Sequence, residues 1–285
     1  MIVLDPLNQR KALFFFIFMA VGLNSALGQI PFARQDSLLK PSDPMFEVGE
    51  ELEYKVSYSF FNIGKIVFRV LDKAERDGRT VYRAQTLIDS NPSLSWLVDL
   101  HIRFYGGMDE EGFSYNWIGD DSTKKQVDFR RMNFDYGQSR MFFEKGKKLP
   151  SGERRTESID TIVIHGRCQD GMSLFFYARM NVRQKKQEQV RTFIENKEVM
   201  TFINFMNDRS SMEIDAVEYP VEVNHFDGRA DFVGVFGLTG GFQGWFSNDG
   251  ARIPIVARMK VFLGSVKAEL VRWTRQGWQP PKFVE

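Results

Sequence analysis

The chain has 285 residues, of which 43% are hydrophobic and 14% aromatic, and its formal net charge is +1. Its basic doublets are separated and interleaved with acids, so it lacks the clustered positive charge that nucleic-acid binding requires, and we predict no nucleic-acid partner. Cys168 is the single cysteine, which excludes a disulfide within the chain. A mostly β chain of this length can fold as one domain around one large core.

The N-terminus has the pattern of a signal peptide. A short basic segment precedes an apolar run over residues 12–23, which is too short for a spanning helix because such a helix needs about 20 apolar residues. Residues 26–28 then supply the small-x-small pattern of a cleavage site. We predict a signal peptide over residues 1–28, cleavage between Gly28 and Gln29, and a periplasmic or secreted protein with no membrane span after cleavage. An uncleaved anchor is the alternative.

A polar leader precedes the folded part of the chain. Residues 29–45 contain three prolines and are predicted to be extended, and residues 46–285 are predicted to form a single β-rich domain. Apolar and polar residues alternate over residues 51–60, which is the period of a strand with one wet face. Alternation resumes at residues 66–70 after a turn at residues 62–64, so the pattern predicts an antiparallel hairpin.

Further short strands are predicted at intervals of roughly ten residues. They lie at residues 80–88, 102–105, 113–118, 125–133, 140–144, 159–164, 190–194, 199–205 and 217–223. Residues 92–100 fit either a short helix or an irregular edge. Regular spacing of this kind favours a meander. The predicted fold class is therefore mainly β, a large curved antiparallel sheet or partly open β-barrel packed around one buried helix near residues 170–181.

That helix is the one clear interruption of the β pattern. Asp170 is predicted to cap its N-terminus by accepting backbone N–H groups two or three residues further on, so that the helix starts near Gly171. One face has the i, i+3, i+4, i+7 spacing and carries Met172, Phe175, Phe176 and Arg179. The opposite side is apolar as well, and a helix that is apolar nearly all round is expected to be buried.

Proline and glycine mark two features in the last third of the chain. Pro220 cannot donate to a strand ladder, so the strand at residues 217–223 is predicted to be an edge. Residues 234–244 contain five glycines, but a phosphate loop would need a Lys-Ser/Thr pair and a following helix, and both are missing. A flexible or bulged loop is the better interpretation.

The C-terminal strands are predicted to form a hairpin. Gly264 and Ser265 suit the centre of a two-residue type II′ turn between residues 253–263 and 266–273. This turn would place Lys260 opposite Glu269, with Met259 and Val261 on the inward face.

Four blocks of the sequence resemble a known family in order and spacing. They lie at residues 46–65, 170–179, 244–255 and 264–270, and together they are similar to the bacterial domain-of-unknown-function 3108 family. The resemblance implies an exported protein of the Gram-negative envelope and brings no activity with it. More loosely, a curved sheet around an apolar helix is similar to periplasmic carriers of lipid-modified proteins, which is an analogy of fold alone.

Catalytic and metal-binding motifs are weak. His165, Cys168 and Asp170 contain the residue types of a thiol nucleophile, its base and an orienting group, but neighbours in sequence are rarely a spatial triad, and a small buried thiol is favoured. The acids at residues 109–111 crowd into one turn, and residues 248–250 lack the remaining ligands of a calcium loop. We predict no catalytic residue, no metal site and no cofactor.

Aromatic residues provide the remaining candidates for a site. A cluster beside the glycine-rich run suggests an apolar groove, although ordinary core packing explains it as well. The candidate ligand-binding residues are Phe236, Phe242, Trp245, Phe246, Tyr177 and Arg179. The leading hypothesis is a non-enzymatic envelope protein that binds a lipid or another apolar small molecule. The alternatives are a structural module that binds another envelope protein and, with weaker support, an enzyme acting on envelope polymers.

Overall fold

A computed structural model describes residues 45–96, 99–122, 127–230, 238–261 and 264–284. The predicted signal peptide and nearly all of the predicted leader lie outside these residues. The strands are β1 (Glu51–Tyr58), β2 (Phe61–Arg76), β3 (Arg79–Ser90), β4 (His101–Asp109), β5 (Ser114–Ser122), β6 (Val127–Asp135), β7 (Arg140–Lys148), β8 (Arg154–Val163), β9 (Gln169–Asp170), β10 (Lys186–Ile194), β11 (Lys197–Met212), β12 (Val221–Ala230), β13 (Leu238–Ser247), β14 (Pro254–Val261) and β15 (Ser265–Trp273). Helix α1 spans Ser173–Asn181, and a 3-10 turn spans Pro92–Leu94.

The strands form one continuous sheet with two meandering halves. Strands β1 to β8 follow one another outward in one direction, and β15 back to β10 follow in the other, with β1 and β15 paired at the junction. Neighbours pair antiparallel except that β9 pairs parallel with β10. The sheet has 15 strands in the described residues, and it is not closed into a barrel by a ladder between its two edge strands. The predicted fold class is confirmed.

Side-chain and single backbone contacts join the two halves of the sheet. Arg130 of β6 lies 2.8 Å from Glu195 in the turn between β10 and β11. The amide nitrogen of Ser114, the first residue of β5, donates to the carbonyl of Cys168 just before β9, at 3.1 Å. The rings of Phe134 and Phe193 pack edge to face at 5.9 Å. The curved sheet is thus held together by packing where no ladder closes it.

Glycines on the face that contacts α1 permit the rings of adjacent strands to pack against the backbone. A Cβ at Gly228 would overlap the ring of Phe242, and a Cβ at Gly244 would overlap the ring of Phe226. Aromatic side chains covering glycines in this way are a common device in strongly curved sheets. The concave face, defined as the face that holds α1, therefore combines glycines with large rings.

Asp170 caps α1 as predicted. Its Oδ1 accepts the backbone N–H groups of Met172 at 2.7 Å and Ser173 at 3.0 Å, and the Ser173 hydroxyl in turn accepts the N–H of Asp170 at 2.8 Å. This reciprocal pair resembles a capping box with serine in place of the usual glutamate. The regular helix begins at Ser173, two residues later than predicted, because residues 171 and 172 form the capped turn.

The concave side of the sheet surrounds α1 with apolar side chains from both halves. Phe175 stacks on Phe68 of β2 at 4.1 Å, and it also lies 6.5 Å from Phe246 of β13. Phe176 is 2% exposed and packs edge to face on Phe46. The prediction of a buried helix with sheet around it is confirmed.

The predicted register of the C-terminal hairpin is wrong. Lys260 pairs with Ser265 rather than with Glu269, and Glu269 pairs with Val256. The connection is therefore longer than a two-residue turn. The shift is four residues, an even number, so each strand still presents the predicted set of side chains to each face, and Met259 remains half-buried opposite Val266.

Two further sequence interpretations need correction. Strand β12 begins at Val221, directly after Pro220, and lies between β11 and β13 inside the sheet, so it is not an edge. Proline is tolerated there because it precedes the ladder. The glycine-rich run is strand from Leu238 onward, with a bulge between Leu238 and Phe242. Its earlier part lies outside the described residues.

Candidate functional site

Arg179 lies at the centre of a buried charged cluster. It is fully buried, and its guanidinium donates to both carboxylate oxygens of Glu50, at 2.5 and 2.9 Å. It also donates to the carbonyls of Met45 at 2.8 Å and Ala251 at 2.9 Å. Arg275 adds a second contact to Glu50 at 2.8 Å. Bidentate geometry and hydrogen bonds from all three nitrogens are what a buried guanidinium needs to offset its desolvation.

Tyr177 points to the other side of the helix. Its hydroxyl donates to Glu188 of β10 at 2.8 Å, and the ammonium of Lys186 lies 5.7 Å from its ring. Burial raises the pKa of the Tyr177 phenol above its usual value, and the negative charge of Glu188 raises it further. The side chain therefore links α1 to the sheet as a neutral hydrogen-bond donor.

The aromatic candidates on β13 are divided between the two faces of the sheet. Phe242 and Phe246 lie on the concave face, where their rings are 6.1 and 5.2 Å from that of Phe226. Trp245 stacks on His225 at 4.9 Å and carries the guanidinium of Arg258 on its ring. Because successive residues of a strand point to opposite faces, Trp245 is separated from the other two. Phe236 lies outside the described residues.

Helix α1 is too short to cover the concave face. Nine residues at about 1.5 Å each give a helix of roughly 14 Å. Strands of 8 to 16 residues at about 3.3 Å each span roughly 26 to 53 Å. The half-buried apolar side chains on this face include Phe104, Trp117, Phe242 and Met259.

Beneath the helix the packing is tight. The space between α1 and strands β1 and β2 is lined by residues that include Leu52, Phe68 and Phe176, and it has no room for a water molecule. An apolar ligand on the concave face would therefore bind beyond the helix, against the half-buried side chains, and not behind it.

A second depression lies at the start of β10, beside the C-terminal end of α1. It has a volume of about 480 Å³, and the side chains that line it are those of Lys185, Lys186, Gln187, Asn204, Phe205 and Met206. The ammonium of Lys186 already contacts Asn181 at 2.8 Å and Glu188 at 3.2 Å. The depression is open, and its one ring, that of Phe205, is only 1% exposed, so it is a poor fit to an apolar ligand.

The thiol, imidazole and carboxylate near residue 168 do not assemble into a nucleophilic site. Cys168 is fully buried, its Sγ lies 3.3 Å from the carbonyl of Gly166, and His165 is exposed. Burial raises the pKa of the Cys168 thiol to about 12, so the thiolate that would attack a substrate is strongly disfavoured. The carboxylate of Asp170 already accepts the backbone N–H groups at the start of the helix and the hydroxyl of Ser114, the latter at 2.5 Å.

The acidic turn at residues 109–111 is part of an ion-pair cluster. Asp109 is fully buried, contacts Arg167 and lies 3.7 Å from Arg79. Burial lowers the pKa of Arg167 to about 10, and the positive charge of Arg79 lowers it as well. Within the part of the chain that the structure describes, no three His, Cys, Asp or Glu side chains are grouped to hold a metal ion.

The family comparison agrees with this architecture. The profile described as "Protein of unknown function (DUF3108)" matches residues 53–271. The chain belongs to the DUF3108 family. The match runs from β1 to β15, so it includes both halves of the sheet and α1. No curated protein matches this DUF3108 chain.

One solved structure shows a similar fold at low identity, and a second match is weaker. A β-barrel-like protein of the DUF1849 domain from Brucella abortus is 11% identical, with a TM-score of 0.50, and the alignment covers 80% of this chain and 97% of that one. A protein with a YmcC-like fold from Bacteroides fragilis is 9% identical, with a TM-score of 0.33, 80% coverage of this chain and 97% of its own. Among the described residues of the DUF3108 chain, no helix has the length and apolar character needed to cross a membrane.

Several residues that matter to the site were missed by the sequence prediction. Glu50 is 2% exposed and holds both Arg179 and Arg275, yet a single glutamate before a strand gives no such signal. Met259 was predicted to face inward but was not assigned to a site, because it sits in an ordinary strand pattern. Only the pairing of Met259 with Phe242 across β14 and β13 brings it to the candidate site.

Proposed function

We propose that this protein is exported across the inner membrane and acts in the cell envelope as a non-enzymatic carrier of an apolar ligand, such as a lipid. The proposed ligand site is the part of the concave face beyond α1, around Phe242 and Met259. The signal-peptide pattern of residues 1–28 supports export. The half-buried apolar side chains on the concave face carry the proposal of an apolar ligand, since such surface on the inside of a curved sheet is stabilised by a partner that excludes water.

The chemistry of the site favours binding over catalysis. Among the described residues near Phe242 and Met259, the neighbouring inward positions are Gly228, Gly244 and Val266. None of these side chains can transfer a proton or attack a substrate. The buried carboxylates Glu50 and Asp170 are held in structural hydrogen bonds.

The test is direct identification and competition. Native mass spectrometry of the protein purified from an envelope fraction should show a bound lipid-sized species. Delipidated protein should then bind N-phenyl-1-naphthylamine, with an increase in probe fluorescence that added lipid reverses. If the purified protein carries no lipid and does not increase the fluorescence of the probe, the structural, partner-binding alternative would be favoured.

A matched pair of variants on β13 locates the site. Phe242→Ser should weaken probe binding by about tenfold, because a buried aromatic ring contributes about 1.5 to 3 kcal/mol. Trp245→Ser, on the opposite face, should leave probe affinity unchanged in samples that retain the wild-type far-ultraviolet circular dichroism. Equal effects of the two substitutions would place the ligand elsewhere.

A further inference from the structure

Three of the most exposed aromatic residues lie at one end of the sheet. Phe60 and Phe61 are 82% and 57% exposed, and Trp96 is 80% exposed. Phe60 is in the turn between β1 and β2, Phe61 opens β2, and Trp96 follows the 3-10 turn that leads from β3 to β4. We call these three residues the aromatic tips. Because β1, β2 and β3 are adjacent strands, the turns that carry the tips are neighbours at the same end of the sheet.

The two turns that carry the aromatic tips are fixed to one another. The backbone N–H of Asn91, which starts the 3-10 turn, donates to the carbonyl of Ile63 at 2.9 Å, and its side chain donates to the carbonyl of Asn62 at 2.9 Å. The rings of Phe60 and Phe61 are 4.2 Å apart. Large apolar side chains held in this exposed arrangement mark an interaction surface.

We propose that the aromatic tips dock the protein on a lipid bilayer, with the rings in the headgroup region. Tryptophan favours this region because its ring is apolar at one end and polar at the other, and phenylalanine rings insert at the boundary between headgroups and acyl chains. The tips are carried by turns at the end of the sheet and line neither of the two described depressions, so they suit a soft surface better than a shaped protein site. Only turns enter the interface, which leaves the strand hydrogen bonds undisturbed.

Charge near the aromatic tips fits an anionic bilayer. Lys65 lies in β2 four residues after Phe61, and Lys260 pairs with Ser265 at the neighbouring turn. Both lysines are exposed, and neither forms an ion pair with another described residue. Asp89, the cross-strand partner of Lys65, is paired with Arg103 at 2.7 Å, which offsets its negative charge. Basic side chains next to a membrane surface are attracted by anionic headgroups.

The aromatic tips are continuous with the proposed ligand site. Tyr58, directly before the first turn, pairs with Val266; Val266 pairs with Met259, and Met259 pairs with Phe242. This row of cross-strand partners runs from the tips to the half-buried rings of the concave face. Docking at this end would bring the open part of the concave face to the bilayer. The docking proposal does not require that a ligand be bound.

The test is vesicle flotation of protein expressed from the full chain. Wild-type protein should float with vesicles of phosphatidylcholine mixed with phosphatidylglycerol, and more weakly with phosphatidylcholine alone. Phe60→Ser combined with Phe61→Ser should weaken binding by at least about tenfold, and Trp96→Ser should act in the same direction. Lys65→Gln combined with Lys260→Gln should remove the preference for the anionic lipid.

Val163→Ser is the matched control. Val163 is 62% exposed at the other end of the sheet, so its replacement removes a similarly exposed, though smaller, apolar side chain and should leave flotation unchanged. All variants alter exposed side chains and should retain the wild-type urea midpoint.

Failure of the wild-type protein to float with either vesicle, or equal flotation of wild-type protein and tip variants, would overturn the proposal. So would capture of an envelope protein by the tips in the absence of vesicles. Loss of vesicle binding with retained probe binding would separate this failure from that of the proposed ligand site.

Discussion

The two ends of the sheet use the same kinds of side chain in opposite ways. At the end where β1 begins, Glu50 and Arg179 are buried together, and Phe176, on the side of α1 that faces the sheet, is 2% exposed. At the end where β1 finishes, Phe60 is 82% exposed and Lys65 is free of described ion pairs. The buried contacts that stabilise the fold lie at the helix end. Substituting the tips or binding a partner there should therefore change the free energy of unfolding little.

The largest expected effect on stability is the loss of the carboxylate shared by two arginines. Glu50→Gln should lower the free energy of unfolding by about 3 to 5 kcal/mol, because it leaves the fully buried Arg179 without its counter-ion. Urea unfolding measures the change. Asp72→Asn is the control: Asp72 pairs with Arg83 in an exposed site, so that substitution should cost at most about 1 kcal/mol. Similar losses for both variants would contradict the structural role given to the cluster.

Removal of the most buried ring on α1 should have a comparable effect. Phe176→Ala should lower the free energy of unfolding by about 3 to 5 kcal/mol, as expected for a buried phenylalanine whose removal leaves a cavity. Phe175 is half-buried between Phe68 and Phe246, so Phe175→Ala should cost less. Chemical denaturation of the two variants distinguishes them. A larger loss at Phe175 would mean that the helix is rotated relative to the described packing.

Loss of the helix cap should have an intermediate effect. Asp170→Ala removes the acceptor for two backbone N–H groups and for the Ser114 hydroxyl. We expect a loss of about 2 to 3 kcal/mol, from the cap itself and from the buried donors left unsatisfied. Asp135→Ala is the control, because Asp135 accepts a backbone N–H in an exposed turn. It should cost about 1 kcal/mol or less in the same thermal or urea experiment.

The smallest expected effect is at the other end of the sheet. Phe60→Ala should change the free energy of unfolding by no more than about 0.5 kcal/mol, because the ring is already in water. Equilibrium urea titration of the variant and the wild type checks this. A loss near that of Phe176→Ala would show that Phe60 is covered by another part of the protein, and the contrast between the two ends would then fail.

Local patterns predicted much of the fold correctly. Asp170 followed by apolar residues at helical spacing indicated α1 and its cap, and both are present, because a cap depends on contacts within three residues. Alternation in β1 and β2 indicated a hairpin, and the two strands pair antiparallel. These features depend on short-range geometry that the residue order contains directly.

The wrong predictions concern features that depend on contacts between residues distant in the sequence. Gly264 was placed at the centre of a two-residue turn, yet Lys260 pairs with Ser265, since the register also satisfies the pairing of β15 with β1. Phe242 and Trp245 are close in sequence, and the pleat of β13 separates them. Pro220 was taken as evidence for an edge strand, whereas β12 starts one residue later and is flanked on both sides.

Periodicity and capping are local properties, so the order of residues alone indicated a meandering antiparallel sheet with one capped, apolar helix. Only the tertiary structure decided that Arg179 is held by Glu50, 129 residues away, and that Met259 lies opposite Phe242. Only the tertiary structure also brought Phe60 and Trp96 to the same end of the sheet. The physical reason is that burial and proximity depend on which strands pair and in which register, and pairing energies are summed over the whole sheet.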